Sequence, residues 1–166
     1  MGHHTFDADR ADKLEIAERR YRFLSAEELL WALSPDGHET VADFGSGTGF
    51  YTDDIAPAVD HVYAVDIQDA MHGYYREKGV PENVELVTSG VDDLPLDTNS
   101  LDAAFSTMTY HEFAGKEALD EITRVLTDAG RLIIVDWAAT GSGDHGPPVD
   151  ERFRAAETAN DLREAG

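Results

Sequence analysis

Between Thr40 and Phe50 the chain reads TVADFGSGTGF, a short apolar segment that hands over to glycines at three alternate positions, Gly45, Gly47 and Gly49. Glycine accepts positive φ and lets the backbone approach a neighbour or a ligand closely, so this run specifies a tight strand-to-helix turn. Few architectures use such a junction, and the rest of the chain narrows them to one. Further apolar segments follow at His61–Asp66, Val84–Thr88, Leu101–Thr107 and Arg131–Trp137. Helical stretches separate them: one reaching about Ala58, one that Asp69 can cap and that runs towards Lys78, and one over Lys116–Leu126. Short strands alternating with helices are βαβ units, which build a parallel sheet covered on both faces. The expected fold is therefore α/β, a Rossmann-like doubly wound parallel sheet of about five strands.

The flanks read differently. Arg10 to Phe23 is a charged stretch with apolar points at helical spacing, and Ser25-Ala-Glu-Glu28 is a capping box opening a second helix through Leu33. After Trp137 a glycine- and proline-rich loop, Ala138–Val149, precedes a final helix expected over Asp150–Ala165. The 166 residues are expected to form one domain, with an N-terminal helical segment (1–36), a core (37–137) and a loop with a C-terminal helix (138–166).

Charge and cysteine content exclude several functions. Against 34 Asp and Glu stand 13 Lys and Arg, ten of them arginine, for a formal net charge of −21. That field opposes nucleic acid and anionic membranes, so neither is an expected partner. The acids are scattered rather than gathered in a tail, and multimolar salt would screen their mutual repulsion. The composition is that of a cytoplasmic protein from a salt-accumulating halophile. Cysteine is absent, which removes disulfides, thiolate nucleophiles and zinc–thiolate sites. No apolar run approaches the roughly 18–20 residues of a membrane span, and the polar, acidic N-terminus resembles no secretory signal. His3, His4 and Glu112 match no metal-ligand spacing, so no metal is expected.

In an open α/β sheet the ligand lies beyond the carboxyl ends of the strands, where the strand order reverses. Asp66 ends the second strand 17 residues after Gly49, and a carboxylate there accepts both hydroxyls of a ribose. The dinucleotide fingerprint would need a third glycine where Phe50 stands. Asp43, two residues before the run, repels a pyrophosphate and suits an amino group; the phosphate-loop lysine is absent too. A nicotinamide oxidoreductase is thus disfavoured, and the ligand is a nucleoside without phosphates.

These segments together resemble the class I S-adenosylmethionine-dependent methyltransferases, and within them the small-molecule enzymes labelled type 11. VADFGSGTGF resembles their first motif, VYAVDI the acidic second-strand motif, LPLDTNSLDAAFSTMTYHEF the fourth-strand segment and LTDAGRLIIVDW the fifth, in the family's order across residues 38–137. The resemblance implies S-adenosyl-L-methionine as cofactor, strand order 3-2-1-4-5 and a small-molecule methyl acceptor. It implies that Gly45 and Gly47 approach the methionine part, that Asp43 holds its amino group, and that Asp66 takes the ribose. Ile67 would pack on the adenine, and Thr107 and Met108 would floor the methionine chain. Where many members carry Asp-Ala after the third strand this chain has Gly90-Val91, leaving Asp92, Asp93 or the Val91 backbone to read the adenine edge. The N-terminal segment would be a lid through which Tyr21 and an arginine meet substrate. His111, just past the fourth strand, is the candidate general base among Tyr110, His111, Glu112 and Asp136; the same residues could instead form a wall that orients substrate without proton transfer. Members of the family continue with two further strands that this chain lacks. The fifth strand would then be an open edge, and the expected consequence is a homodimer through it, unless the C-terminal helix covers it or the chain is truncated. The alternative function is a non-catalytic, cofactor-binding scaffold.

Overall fold

A strand buried on both faces must be apolar at every position, because consecutive side chains point to opposite sides. Strand β1 (Thr40–Phe44) meets that condition except at Asp43: Val41, Ala42, Asp43 and Phe44 are all buried, and the one carboxylate among them faces the site. In the computed structural model, which describes residues 5–166, it lies at the centre of a five-stranded parallel sheet. The other strands are β2 (His61–Asp66), β3 (Val84–Thr88), β4 (Leu101–Thr107) and β5 (Leu126–Val135), in the order β3-β2-β1-β4-β5. Order and direction match the expectation.

The helices are α1 (Ala17–Arg20), α2 (Ala26–Leu33), α3 (Phe50–Ile55), α4 (Asp69–Lys78), α5 (Tyr110–Phe113), α6 (Lys116–Val125) and α7 (Ala155–Ala165). Val41, Ala103 and Phe105 meet Leu29, Ile55 and Tyr75 of α2, α3 and α4 on one face of the sheet. Ala42, Phe44 and Ala104 meet Leu119 and Ile122 of α6 on the other, with Leu162 of α7 against the same cluster. Both faces are therefore covered. The path from β3 to β4 has no helix; residues 89–100 cross as an irregular segment that sinks Val91 and Leu94 into the second cluster.

Local differences from the expected elements have identifiable causes. The N-terminal stretch is not one helix. A 3₁₀ segment (Ala8–Glu15) and α1 are separated by Ile16 in an extended conformation (φ −82°, ψ 98°). The break lets the chain bend so that Leu14 sits above Gly47 and Glu15 accepts hydrogen bonds from Thr48 and Lys78. Tertiary contacts here override helical spacing. The Ser25 capping box forms as expected, Ser25 Oγ accepting the Glu28 N–H and Glu28 accepting the Ser25 N–H. Asp69 does not cap α4: Gln68 is the N-cap, and Asp69 is the first helical residue, paired with Arg76. Strand β5 begins earlier than expected, with Leu126 opposite Leu101, then bulges and resumes with Arg131 opposite Ala103. The final helix is also interrupted. A 3₁₀ turn at Val149–Glu151 stops at Arg152, whose buried guanidinium hydrogen-bonds the carbonyls of His145 and Pro147 while Phe153 bridges to Ala138.

Among the described residues β5 pairs with β4 alone, and α7 packs on α6 rather than along that edge. No described helix is long and apolar enough to cross a membrane.

Candidate active site

The glycine loop is stitched to the neighbouring strand, Gly45 and Ser46 both donating their N–H to the Val65 carbonyl at 2.8 and 2.9 Å. Two glycines are required for different reasons. A Cβ at Gly45, whose φ is +80°, would lie 2.2 Å from Thr109 Cγ2, so the loop packs directly on the segment after β4. At Gly47 (φ +55°) a Cβ would meet only Leu14, at 3.5 Å, in the space between the loop and the N-terminal segment. Gly45→Ala combines a left-handed backbone cost with overpacking, and is expected to destabilise the fold by about 2–4 kcal/mol. Adding Thr109→Ala should restore only part of the packing loss, since the Thr109 Cβ itself would stand 2.6 Å away, and urea unfolding of the single and double variants measures the recovery.

The carboxylate of Asp66 is held by the loop it serves. Its Oδ2 accepts the Gly47 N–H and its Oδ1 the Gln68 N–H, both at 2.8 Å. Burial raises its pKa above the ordinary carboxylate range, against the opposing pull of those two backbone donors. Each oxygen keeps a lone pair for a further donor. Beside it Ile67 is 65% exposed, an unusual state for isoleucine that leaves an apolar surface on the cavity wall. Val91 is buried and Asp92 exposed on the same wall. Asp43 lies behind the loop. Its Oδ2 accepts the Thr52 hydroxyl at 2.7 Å, while Oδ1 is buried with no partner. Burial, helped by the nearby Asp66 charge, pushes the Asp43 pKa up to about 7.

A cavity of about 780 Å³ joins these groups. Gly45, Gly47, Asp66, Ile67, Val91, Asp92, Thr107 and His111 all line it, and Asp43 stands one layer behind. The N-terminal segment forms one wall through Leu14, Arg19, Arg20 and Phe23, and Trp137 and His145 form another. Phe23 meets the Trp137 ring edge-on at 4.7 Å and the His145 ring at 5.3 Å. Tyr21, expected at the substrate, instead donates to Asp54 at 2.9 Å outside the cavity. Tyr110 likewise belongs to the core against Phe113 and Phe153. Met108 carries positive φ (59°), a strained state for a non-glycine residue at the cavity floor.

His111 is oriented by a residue 25 positions away. Both Asp136 oxygens lie 3.0 Å from His111 Nδ1, and Asp136 Oδ2 also accepts the His111 main-chain N–H at 2.7 Å. An ionised carboxylate only accepts, so the proton sits on Nδ1 and Nε2 keeps its lone pair. Burial pulls the imidazole pKa down, but the hydrogen bond and charge of Asp136, with Glu112 and Glu151, outweigh it and leave the value raised. Glu112 Oε1 lies 3.9 Å from Nε2, and burial brings its own pKa up to about 7. Missed in the sequence were His72 and Arg152. His72 is fully buried, with Nδ1 2.9 Å from Thr88 and Nε2 3.5 Å from Ser46 beneath the loop. Arg152 stacks on Trp137 and ties down the loop that carries His145. No spacing rule marks either: the partners of His72 are distant in the chain, and Arg152 is set by carbonyls of an irregular loop and by Trp137. Among the described residues no cluster of metal-ligating side chains occurs, and His3 and His4 lie outside them.

A model of the methyltransferase domain family matches residues 42–134, from β1 to the end of β5. The chain belongs to this family of S-adenosylmethionine-dependent methyltransferases. A solved S-adenosylmethionine-dependent methyltransferase from Aquifex aeolicus superposes with a TM-score of 0.86 at 32% identity, covering 98% of this chain and 89% of that one. A demethylmenaquinone methyltransferase from Clavibacter sepedonicus is 30% identical over 120 residues, 71% of this chain and 46% of the relative. An uncharacterized methyltransferase from Mycobacterium tuberculosis is 34% identical over 109 residues, 66% of this chain and 44% of the relative. The chain spans about half the length of the curated relatives it matches. The site residues fit the family's cofactor. Asp43 offers a buried unpaired acceptor, Asp66 an acceptor pair, and Ile67 an exposed apolar face, all around one cavity or just behind it.

Proposed function

We propose that this methyltransferase transfers a methyl group from S-adenosylmethionine to a small molecule held between the glycine loop and His111. One observation carries the reading: a single cavity of about 780 Å³ brings the loop, Asp66 and an Asp136-oriented histidine to common walls. Such a volume is in the range of small-ligand pockets. The cofactor, when bound, supplies an electrophilic methyl on a sulfonium; displacement is then largely a matter of proximity and orientation. Gly47 and Asp66 hold the nucleoside end, Asp43 the amino group, and Val91 with Asp92 borders the adenine. The N-terminal segment excludes water from above, and Thr107 and Met108 close the floor. His111 Nε2 receives the proton of an acceptor that arrives protonated, while Asp136 fixes the tautomer and stabilises the resulting charge. The dyad favours catalysis over a scaffold role, for which a buried and oriented imidazole has no use. The acidic surface favours a cytoplasm rich in salt, and the open β5 edge favours pairing with a second copy.

The reading is tested by calorimetry with S-adenosylhomocysteine and by transfer of labelled methyl to a panel of phenolic, quinol and amine acceptors. Asp66→Asn places an amide against the Gly47 N–H and removes charge-assisted bonds, so affinity should fall about 100-fold. Because Asp43 and Asp66 both bind as carboxylates with raised pKa values, affinity should also rise with pH through about 7 and then level. Undiminished affinity of the Asp66→Asn protein, or none in the parent, overturns the assignment.

A further inference from the structure

Arg152 is buried in the segment that follows the sheet, and every hydrogen bond its guanidinium makes goes to a main-chain carbonyl. Nε and Nη2 donate to Pro147 at 2.9 and 2.7 Å, Nη2 also reaches His145, and Nη1 lies 3.5 Å from the Ala138 carbonyl. Residues 139–148 contain no helix or strand, and Gly143 and Gly146 hold positive φ (84° and 82°), so the segment has little stiffness of its own. The guanidinium fork supplies it, gathering separate carbonyls around one rigid group.

So clamped, the segment is a wall of the cavity, which His145, Gly146, Pro147 and Pro148 line beside Trp137. Gly146 lies flat on the indole: a Cβ there would stand 2.4 Å from the Trp137 ring, and the Arg152 guanidinium lies 5.6 Å from the centre of the same ring. The wall is tied to His111 at both ends. Trp137 follows Asp136, whose carboxylate orients His111. Phe153, bridged to Ala138 and accepting the Ala139 N–H, packs against Tyr110, the residue before His111. Because Arg152 takes up the His145 and Pro147 carbonyls, the wall offers the cavity rings rather than hydrogen-bonding backbone.

We infer that Arg152 is the positioning residue of the acceptor subsite, and that the wall it builds selects methyl acceptors by a flat, apolar ring system beside the atom that faces His111. The inference rests on the methyl-transfer reading and adds a specificity determinant outside residues 42–134 matched by the family model. Planar rings pack edge-on or offset against aromatic side chains with a gain that a puckered ring of the same size forgoes.

Calorimetry with naphthol and with decahydronaphthol, its saturated and puckered counterpart, tests the assignment on protein saturated with S-adenosylhomocysteine in high salt. The parent should bind naphthol about 10-fold more tightly. Arg152→Met keeps bulk and loses the clamp, so it should bind the two alike, while its unchanged affinity for S-adenosylhomocysteine shows that the fold is intact. Arg152→Lys, a cation that cannot span the carbonyls, should recover only part of the preference. Gly146→Ala drives a Cβ into the Trp137 ring and should also abolish the preference; it decides the matter if Arg152→Met no longer binds S-adenosylhomocysteine. Equal binding of both probes by the parent overturns the inference and leaves the cofactor reading standing. So does a preference that survives in Arg152→Met or Gly146→Ala protein still able to bind S-adenosylhomocysteine. Failure of the parent to bind S-adenosylhomocysteine overturns the cofactor reading and this inference with it.

Discussion

Replacing His111 by Gln is expected to lower kcat by about 10²- to 10⁴-fold, the usual contribution of a positioned general base, while cofactor affinity changes little. The separation follows from geometry: Asp66 and the glycine loop, the proposed seat of the nucleoside end, are joined to each other, and His111 stands beyond β4 on another part of the cavity wall. The pH profile adds a sign. The base works only when neutral, and the His111 pKa is raised by the Asp136 hydrogen bond and charge in spite of burial. The acid limb of kcat should therefore lie above the ordinary imidazole range, with activity lost as pH falls through it. Asp136→Asn removes the largest raising influence and should move that limb downwards while also lowering kcat through the lost tautomer control. Glu112→Gln, which removes a second carboxylate 3.9 Å from Nε2, should shift the limb in the same direction by less. If kcat of His111→Gln matched the parent across pH, with a protonated acceptor, the imidazole would be a wall and not a base.

The sheet was readable because its strands appear as short, mostly apolar runs between helical stretches, and β1 to β4 have the bounds those runs predict. The glycine loop and Asp66 were readable for a related reason. Their placement is local, fixed by a turn and by the end of one strand, where the Gly47 N–H donates to Asp66 Oδ2. Elsewhere the decisive contacts are long-range. Helical spacing across Arg10–Phe23 gave no sign of the break at Ile16, which exists because Leu14 and Glu15 must reach Gly47 and Thr48. Asp136 was one of four candidates at the mouth, and only folding reveals that its carboxylate is committed to His111. Arg152 looks like one more charge on a final helix, yet it is buried and that helix starts only at Ala155, because loop carbonyls and the Trp137 ring take up its guanidinium. An edge strand is a statement about topology, so β5 could be foreseen as an edge from the strand order, whereas the bridge between Ala138 and Phe153 just beyond it could not.

Transfer from multimolar potassium chloride to 0.1 M salt is expected to cost the folded state most of its stability. Of the 34 acidic residues, Glu39, Asp43 and Asp66 alone are buried among the described residues, so almost the whole charge of −21 lies at the surface. Few of those surface acids have cationic partners; Lys78 with Glu15 and Asp53, and Arg124 with Glu121, are the best formed. A chain of this length folds to a sphere on the order of 20 Å in radius. Spreading such a charge over it in water, with a Debye length of about 10 Å at 0.1 M and 3 Å at 1 M, raises the self-repulsion by on the order of 10 kcal/mol on dilution. The expanded chain repels itself too, but over greater distances, so part of that difference is a net loss. Ordinary stabilities are about 5–15 kcal/mol, and the net loss is of the same order. Circular dichroism during stepwise dialysis should show a cooperative loss of helix signal well above 0.1 M, reversed by salt restoration. Sodium chloride and potassium chloride should act alike at equal ionic strength if screening is the cause, whereas a melting temperature insensitive to salt would assign the acidity to something other than solvent. Reversing exposed acids that do not line the cavity, Glu82 and Asp128 for example, should shift the midpoint to lower salt in proportion to the charge removed and leave cofactor affinity in high salt unchanged.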